Sequence, residues 1–305
     1  MRAYGLFVAV IVGSSVMGLG VACTSSNNGG SSSGTSGDVA DGAASSSGGE
    51  GGSSSGTVDA AGAKGGGSIQ LTSTSTSSTF AAAFADATAV ALPSCTRTTI
   101  GSCVVNECPI QPLPEGGTAR LLSAGAITVT GGVIPAPGIT VEPDANGSYA
   151  KQGVGALWAG GETFSFVAAG AAVPGFTQTV NAPSPIDIAT PTLPAPPTGI
   201  DVPRATDFTI TWATGATSVG KVGITMGSAS TSTNNSIVCT FDVAAKTGTV
   251  PSAALAKMVG AQGSLLIGVS SDSQQLQKDY LVTTTLSMPG RANGVDLTVD
   301  FVNFK

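Results

Sequence analysis

Short runs in which apolar and polar residues alternate, or in which β-branched residues cluster, recur along residues 126–301. They are Ala126–Thr130 (AITVT), Gly138–Glu142 (GITVE), Glu162–Val167 (ETFSFV), Phe176–Val180, Asp207–Trp212 (DFTITW), Lys221–Met226, Ile237–Asp242, Leu265–Ser270, Tyr280–Leu286 and Val295–Phe301. A period of two places successive side chains on opposite faces, so these runs predict strands. Gly131-Gly132, Asn146-Gly147 and Gly160-Gly161 punctuate them as turns. Two stretches predict short helices: the alanine-rich Thr79–Val90 (TFAAAFADATAV), and Ala253–Val259, where Ser252 after Pro251 offers an N-cap. Many short strands with little helical pattern predict an all-β chain built of β-sandwiches.

The first 68 residues follow a different pattern. Arg2 precedes an unbroken apolar run, Leu6–Val12 (LFVAVIV), and residues 3–22 carry no charge. Gly13, Ser14, Ser15, Gly18 and Gly20 dilute the second half of that stretch. This is the layout of an export signal over residues 1–22, removed in the mature protein. Residues 24–68 then hold 14 glycines and 13 serines. Such a composition cannot bury enough apolar surface to offset chain entropy, so 23–68 is expected to be a disordered tether. A Gly/Ser coil of this length has a root-mean-square span of about 35–40 Å.

Six prolines lie within 183–197. They favour an extended spacer that neither a helix nor a central strand accepts. The folded body is therefore expected to divide into sandwich units at 69–195 and 196–305, with few hydrogen bonds crossing between them.

Leu19-Gly20-Val21-Ala22-Cys23 resembles the lipobox of bacterial lipoproteins, with Gly20 where that family places an aliphatic residue. The resemblance implies that Cys23 becomes the lipid-modified mature N-terminus and that a membrane is a partner. Thr24, rather than aspartate, follows the cysteine, which in that family implies the outer membrane. Pro194–Ile200 (PAPPTGI) and the inward alternation of Phe208, Ile210 and Trp212 resemble the opening of a fibronectin type III or immunoglobulin-like module. Lipobox, Ser/Gly tether and cysteine-bearing β body together are similar to the surface lipoproteins abundant in myxobacteria, a resemblance that implies location and no activity.

Composition removes whole classes of chemistry. There is no histidine, which excludes Ser-His-Asp and Cys-His nucleophile systems and His-ligated metals. Charged residues make up 10% of the chain and the net charge is -6, which argues against a nucleic-acid partner. G-x-S-x-G occurs at 30–34 and 52–56, inside the tether and without a histidine partner. Ser218–Lys221 matches S-x-x-K and Lys246–Gly248 matches K-T-G, yet no S-D-N lies between them and the spacing is far too short. Asp144–Gly147 lacks a carboxylate at the twelfth position of a calcium loop and reads as a turn centred on Asn146-Gly147. Trp212 reads as core. Trp158 reads as core too, with sugar stacking as its alternative. No catalytic, metal or cofactor residue is assigned, and no cofactor is expected.

Setting Cys23 aside leaves Cys95, Cys103, Cys108 and Cys239, an even set that reads as disulfides in an exported chain. Gly101-Ser102 suits a type II′ hairpin turn, with glycine first. Ile100 then faces Cys103, and paired residue numbers sum to 203. Cys95 falls opposite Cys108 at a non-hydrogen-bonded position, where Cα atoms approach to about 4.5 Å. Cys103 has the opposite parity and is left for Cys239. The expected pairs are Cys95–Cys108 and Cys103–Cys239. The function expected first is a non-catalytic, lipid-anchored surface protein with an adhesion or scaffolding role. A module capturing a small ligand or glycan comes second, and a carboxylate-dependent hydrolase third.

Overall fold

The computed structural model describes residues 63–86, 95–110, 121–193, 199–297 and 300–305. The export signal, Cys23, both G-x-S-x-G matches and residues 194–198 lie outside the described residues. The chain is all-β, with strands numbered here in chain order. The largest sheet runs β3 (Thr96–Ile100), β4 (Cys103–Pro109), β14 (Thr233–Asp242), β13 (Lys221–Ala229), β16 (Gln262–Gln277), β17 (Tyr280–Pro289), β1 (Gly65–Ser73), β2 (Ser77–Asp86), β7 (Tyr149–Val154). Beside the start of β16 lies β20 (Asp300–Phe304), which also pairs with β11 (Ile200–Val202). A second sheet runs β15 (Thr247–Val250), β12 (Phe208–Thr214), β10 (Ile186–Thr190), β18 (Arg291–Ala292), β19 (Val295–Asp296). A third runs β6 (Ile134–Val141), β5 (Ile127–Gly131), β8 (Thr163–Ala168), β9 (Phe176–Asn181).

Strand β16 serves two sandwiches. Its first part, Gly263–Ser270, pairs with β13, and its second, Gly268–Gln277, pairs with β17. Around the second part, β17, β1, β2 and β7 form one layer, and β9 of the third sheet packs against it. Phe84 of β2 meets Phe176 of β9 at 6.2 Å between ring centroids, and Tyr149 of β7 edge-on at 5.9 Å. Around the first part, β13, β14 and β4 form a layer against the second sheet, where Trp212 of β12 meets Phe241 of β14 at 6.4 Å. Inner faces are apolar throughout: Ile69, Leu71, Val282 and Leu286 in one sandwich, Ile224, Ile237, Ile267 and Val269 in the other.

The division expected at 195/196 is not where hydrogen bonding stops. Parallel pairing joins β1 to β17, from Gly65↔Tyr280 to Thr72↔Ser287, and β4 pairs with β14 from Cys103↔Cys239 to Pro109↔Thr233. Each sandwich therefore contains strands from both sides of the proline-rich segment. Apolar inner faces explain this, because Val282 and Leu286 of β17 form one buried face with Ile69 and Leu71 of β1, and the third sheet covers that face.

Three local expectations are also corrected. Thr79–Asp86, expected as the start of a helix, lies within β2. Phe80, Ala82 and Phe84 point inward with a period of two, and burial against the third sheet overrides the helix propensity of alanine. The tether expected to run to residue 68 ends sooner, since Gly65, Gly66 and Gly67 open β1. An added Cβ at Gly67 would sit 2.0 Å from the Phe84 ring, and one at Gly65 would sit 2.7 Å from the Tyr280 ring. These glycines are bare because aromatic rings occupy the space a side chain needs. The helix expected over 253–259 shrinks to α1 (Ser252–Leu255), with Pro251 as N-cap. Asp207 accepts the Ser252 N–H at 2.7 Å, so the capping carboxylate comes from across the fold.

Candidate functional site

The cysteine frame follows the hairpin arithmetic. Strands β3 and β4 pair with Ile100↔Cys103 and Thr96↔Glu107, the register in which residue numbers sum to 203. Gly101 takes φ +58° while Ser102 does not enter positive φ, as a type II′ turn requires. Cys95 and Cys108 are bonded with Cα atoms 4.2 Å apart. On the opposite side of β4, Cys103 faces Cys239 across the β4–β14 ladder, and these two are bonded with Cα atoms 3.9 Å apart.

The other residues singled out from sequence scatter over the fold. Trp212 is buried and donates Nε1–H to the Val243 carbonyl at 2.9 Å. Trp158 is buried edge-on against Phe164 at 5.4 Å, so neither tryptophan offers a face to a sugar. Ser218 lies exposed before β13, Lys221 opens β13 in an ion pair with Asp242, and Thr247 starts β15 in another sheet. Asp144 Oδ1 accepts the N–H groups of Asn146 and Ser148 at 2.8 and 2.9 Å. The Gly147 N–H closes the turn on the Asp144 carbonyl, so its centre is Ala145-Asn146, one residue earlier than expected. Self-satisfaction of this kind is the work of a turn aspartate. Among the described residues, no three Asp, Glu or Cys side chains cluster closely enough to hold a metal.

The strands do assemble one extended surface. The face of the large sheet opposite the buried residues carries rows set by register. Thr72, Ser287, Ser270 and Lys221 form one row, Gln70, Thr285 and Asp272 the next, and Ser68, Thr283 and Gln274 a third. Thr240, Gly223 and Gly268 extend the face across β14, β13 and β16. Thr72 and Ser287 hydroxyls lie 3.0 Å apart. Over β14, β13, β16, β17 and β1 the charged members of this face are Lys221 and Asp242, paired with each other, and Asp272. Val238 and Leu266 are its exposed apolar members near Thr225. Each strand alone showed only alternation. What sequence reasoning missed is that their outward halves share one plane, and Thr283-Thr284-Thr285 was the local hint.

Ionisable groups gather at loop ends instead. The hydroxyl of Tyr280 donates to Asp86 Oδ1 at 3.0 Å, which pushes the phenol above its ordinary range. Lys64 pairs with Asp279 at 2.6 Å and is raised by that hydrogen bond. Partial burial opposes ionisation of Glu162, yet the N–H groups of Ala159 and Gly160 donate to it at 2.8 and 2.7 Å. Those hydrogen bonds hold its carboxyl below the usual carboxylate range. No family model matches the chain, and no curated protein matches it.

Proposed function

We propose that this chain is a non-catalytic, lipid-anchored protein of the cell envelope whose working part is the outward face of the large sheet, used for adhesion or scaffolding. The observation that carries the reading is that face: hydroxyl, amide and glycine positions spread over five adjacent strands, with almost no net charge. A broad neutral surface of small polar groups suits contact with another surface better than it suits chemistry on a small substrate. Anchoring is proposed through Cys23 in the outer membrane, after removal of residues 1–22. Two disulfides fit an oxidising compartment. The second sandwich is proposed to be related to immunoglobulin or fibronectin III modules on the strength of buried Phe208, Ile210 and Trp212 in β12. A glycan-binding role is the second reading. It rests on the same rows of hydroxyls and amides, since both tryptophans are buried.

Two measurements test the proposal. Cell fractionation should move the protein from the membrane to the soluble fraction in Cys23→Ser, and full membrane retention of that variant would sink the anchor. Thr283→Lys with Thr285→Lys should weaken cell–cell or cell–surface adhesion while leaving the melting temperature within a few degrees. Unchanged adhesion in a folded variant would remove the face from the reading.

A further inference from the structure

At one corner of the outward face, three strands set a different chemistry beside the hydroxyl rows. Strand β20 lies between β11 and the start of β16, and the two registers place their residues side by side. Asp201, Asn303 and Gln262 form one row, and Phe301 and Ser264 belong to the next. Val302 and Phe304 alternate with these positions and are buried, so Phe301 and Asn303 stand on the outward side. Phe301 is 59% exposed, the only aromatic among the exposed large apolar side chains of the described residues. Its neighbours explain that exposure. Ser264 is small, and on the β11 side an added Cβ at Gly199 would sit 2.9 Å from the Phe301 carbonyl oxygen and 3.3 Å from Asn303 Nδ2. Close backbone approach therefore demands glycine there, and no side chain at that position rises beside the ring.

The adjoining row is polar and oriented. Asn303 donates Nδ2–H to Asp201 Oδ1 at 3.2 Å, which fixes the plane of its carboxamide. The same carboxylate oxygen pairs with Lys305 at 3.6 Å, so the row carries no net charge. Gln262 is exposed and completes a run of one carboxylate and two carboxamides. Beside the row opens a cleft of about 490 Å³, with Gln262, Asn303 and Lys305 on its wall and Ala229 and Gly260 across from them. A single exposed apolar residue is ordinary on a protein surface. This corner differs in joining an uncovered ring to oriented hydrogen-bonding groups and a recess. A pyranose matches all three: the C–H groups of one face lie on an aromatic ring, while hydroxyls on its rim donate to a carboxylate and both donate to and accept from carboxamides. An apolar protein partner would instead bury Asp201, Asn303 and Gln262 against groups that cannot pair with them.

We propose that this corner binds a neutral hexopyranose chain. One sugar ring stacks on Phe301, and the next lies toward the cleft with its hydroxyls on Asp201, Asn303 and Gln262. The cancelled charge of the row selects uncharged sugars over uronic acids and amino sugars. This site rests on the glycan-binding reading above, with the sugar carried by β20 rather than by the hydroxyl rows of β17 and β1.

The test titrates the full chain with cellohexaose and maltohexaose, neutral chains of opposite glycosidic linkage, by isothermal calorimetry. At least one should bind. Phe301→Ala should weaken that binding at least about tenfold, the effect of losing one aromatic contact. Asn303→Ala should also weaken it, whereas Val295→Ala, at an exposed apolar residue elsewhere, should leave it unchanged. Phe301→Trp should retain binding, which a variant that merely failed to fold would not do. Binding that survives Phe301→Ala and Asn303→Ala but is lost in Thr283→Lys with Thr285→Lys would overturn this site and leave the glycan reading on the hydroxyl rows. Binding of neither chain would overturn the site and the glycan reading together. Tighter binding of a galacturonic acid oligomer than of either neutral chain would overturn the selection for uncharged sugars.

Discussion

The hydroxyl of Thr284 on β17 donates to Oε1 of Gln178 on β9 at 2.8 Å, and both residues are buried between the layers of the first sandwich. Gln178 also donates Nε2–H to the Ser273 carbonyl on β16 at 2.6 Å, so one side chain ties the third sheet to two strands of the large one. Buried polar groups are tolerated when every partner is present, and they cost most when one partner alone is removed.

Thr284→Val keeps the shape of the side chain but strands the Gln178 carbonyl oxygen. A loss of about 1–3 kcal/mol follows, the penalty for an unsatisfied buried acceptor. Thr284→Val combined with Gln178→Met removes that acceptor but also the Nε2–H donor to the Ser273 carbonyl, so the double variant should not regain the parent's stability. Urea unfolding of the three proteins checks this, and a Thr284→Val protein as stable as the parent would show that the bond contributes nothing.

Glycine placement gives a prediction with opposite signs in one sheet. At Gly67 an added Cβ meets the Phe84 ring at 2.0 Å, and that ring is confined by Tyr149 and Phe176. Gly67→Ala should destabilise by about 1–3 kcal/mol through overpacking. At Gly223 on β13 nothing lies within 4 Å. There the same substitution removes the entropic cost of a strand glycine and should stabilise by about 0.5–1 kcal/mol. Two substitutions of equal effect would refute the packing account of the β1 glycines.

Glu162 gives the fold a pH dependence whose sign is fixed. Its carboxyl is held below the ordinary value by the N–H groups of Ala159 and Gly160. A depressed carboxylate contributes stability above its unfolded pKa and loses that contribution as pH falls through the folded value. The stability gap between the parent and Glu162→Gln should therefore be full at pH 7 and shrink progressively below about pH 4.5. A gap that widens on acidification would contradict the hydrogen-bond assignment.

How far the sequence carried depends on the range of each interaction. The 95–108 hairpin was legible because its turn glycine, its strand parity and its cysteine spacing all lie within fourteen residues. The inward alternation of Phe208, Ile210 and Trp212 was legible for the same reason. Phe80 and Phe84 misled, since a spacing of four suits one face of a helix as well as one face of a strand, and alanine between them tipped the reading. Gly65–Gly67 misled because glycine beside an aromatic ring and glycine in a tether look alike in one dimension. Beyond the local hint of Thr283 and Thr285, the outward polar face was not legible. Its rows bring Gln70 beside Thr285 and Asp272, a juxtaposition created by the parallel pairing of β1 with β17. No local pattern encodes that pairing.

That same pairing decides what happens when the chain is cut at the proline-rich segment. A fragment of residues 196–305 retains β16 and β17 but loses β1, β2 and the third sheet. Val282 and Leu286, buried in the whole chain, would then face solvent, together with the stranded hydroxyl of Thr284. It would lose β4 as well, leaving the edge of β14 with Ile237 and Cys239 uncovered. Exposed apolar strand edges of this kind pair with other chains, so the fragment should aggregate or fail to unfold cooperatively. Residues 63–305 should melt in one transition, because breaking the β1–β17 ladder opens both sandwiches through their shared β16. Circular dichroism melts and sedimentation of the two proteins decide the point. A soluble fragment 196–305 with its own sharp transition would show that the second half is self-sufficient and that the shared strand is not what holds the two sandwiches together.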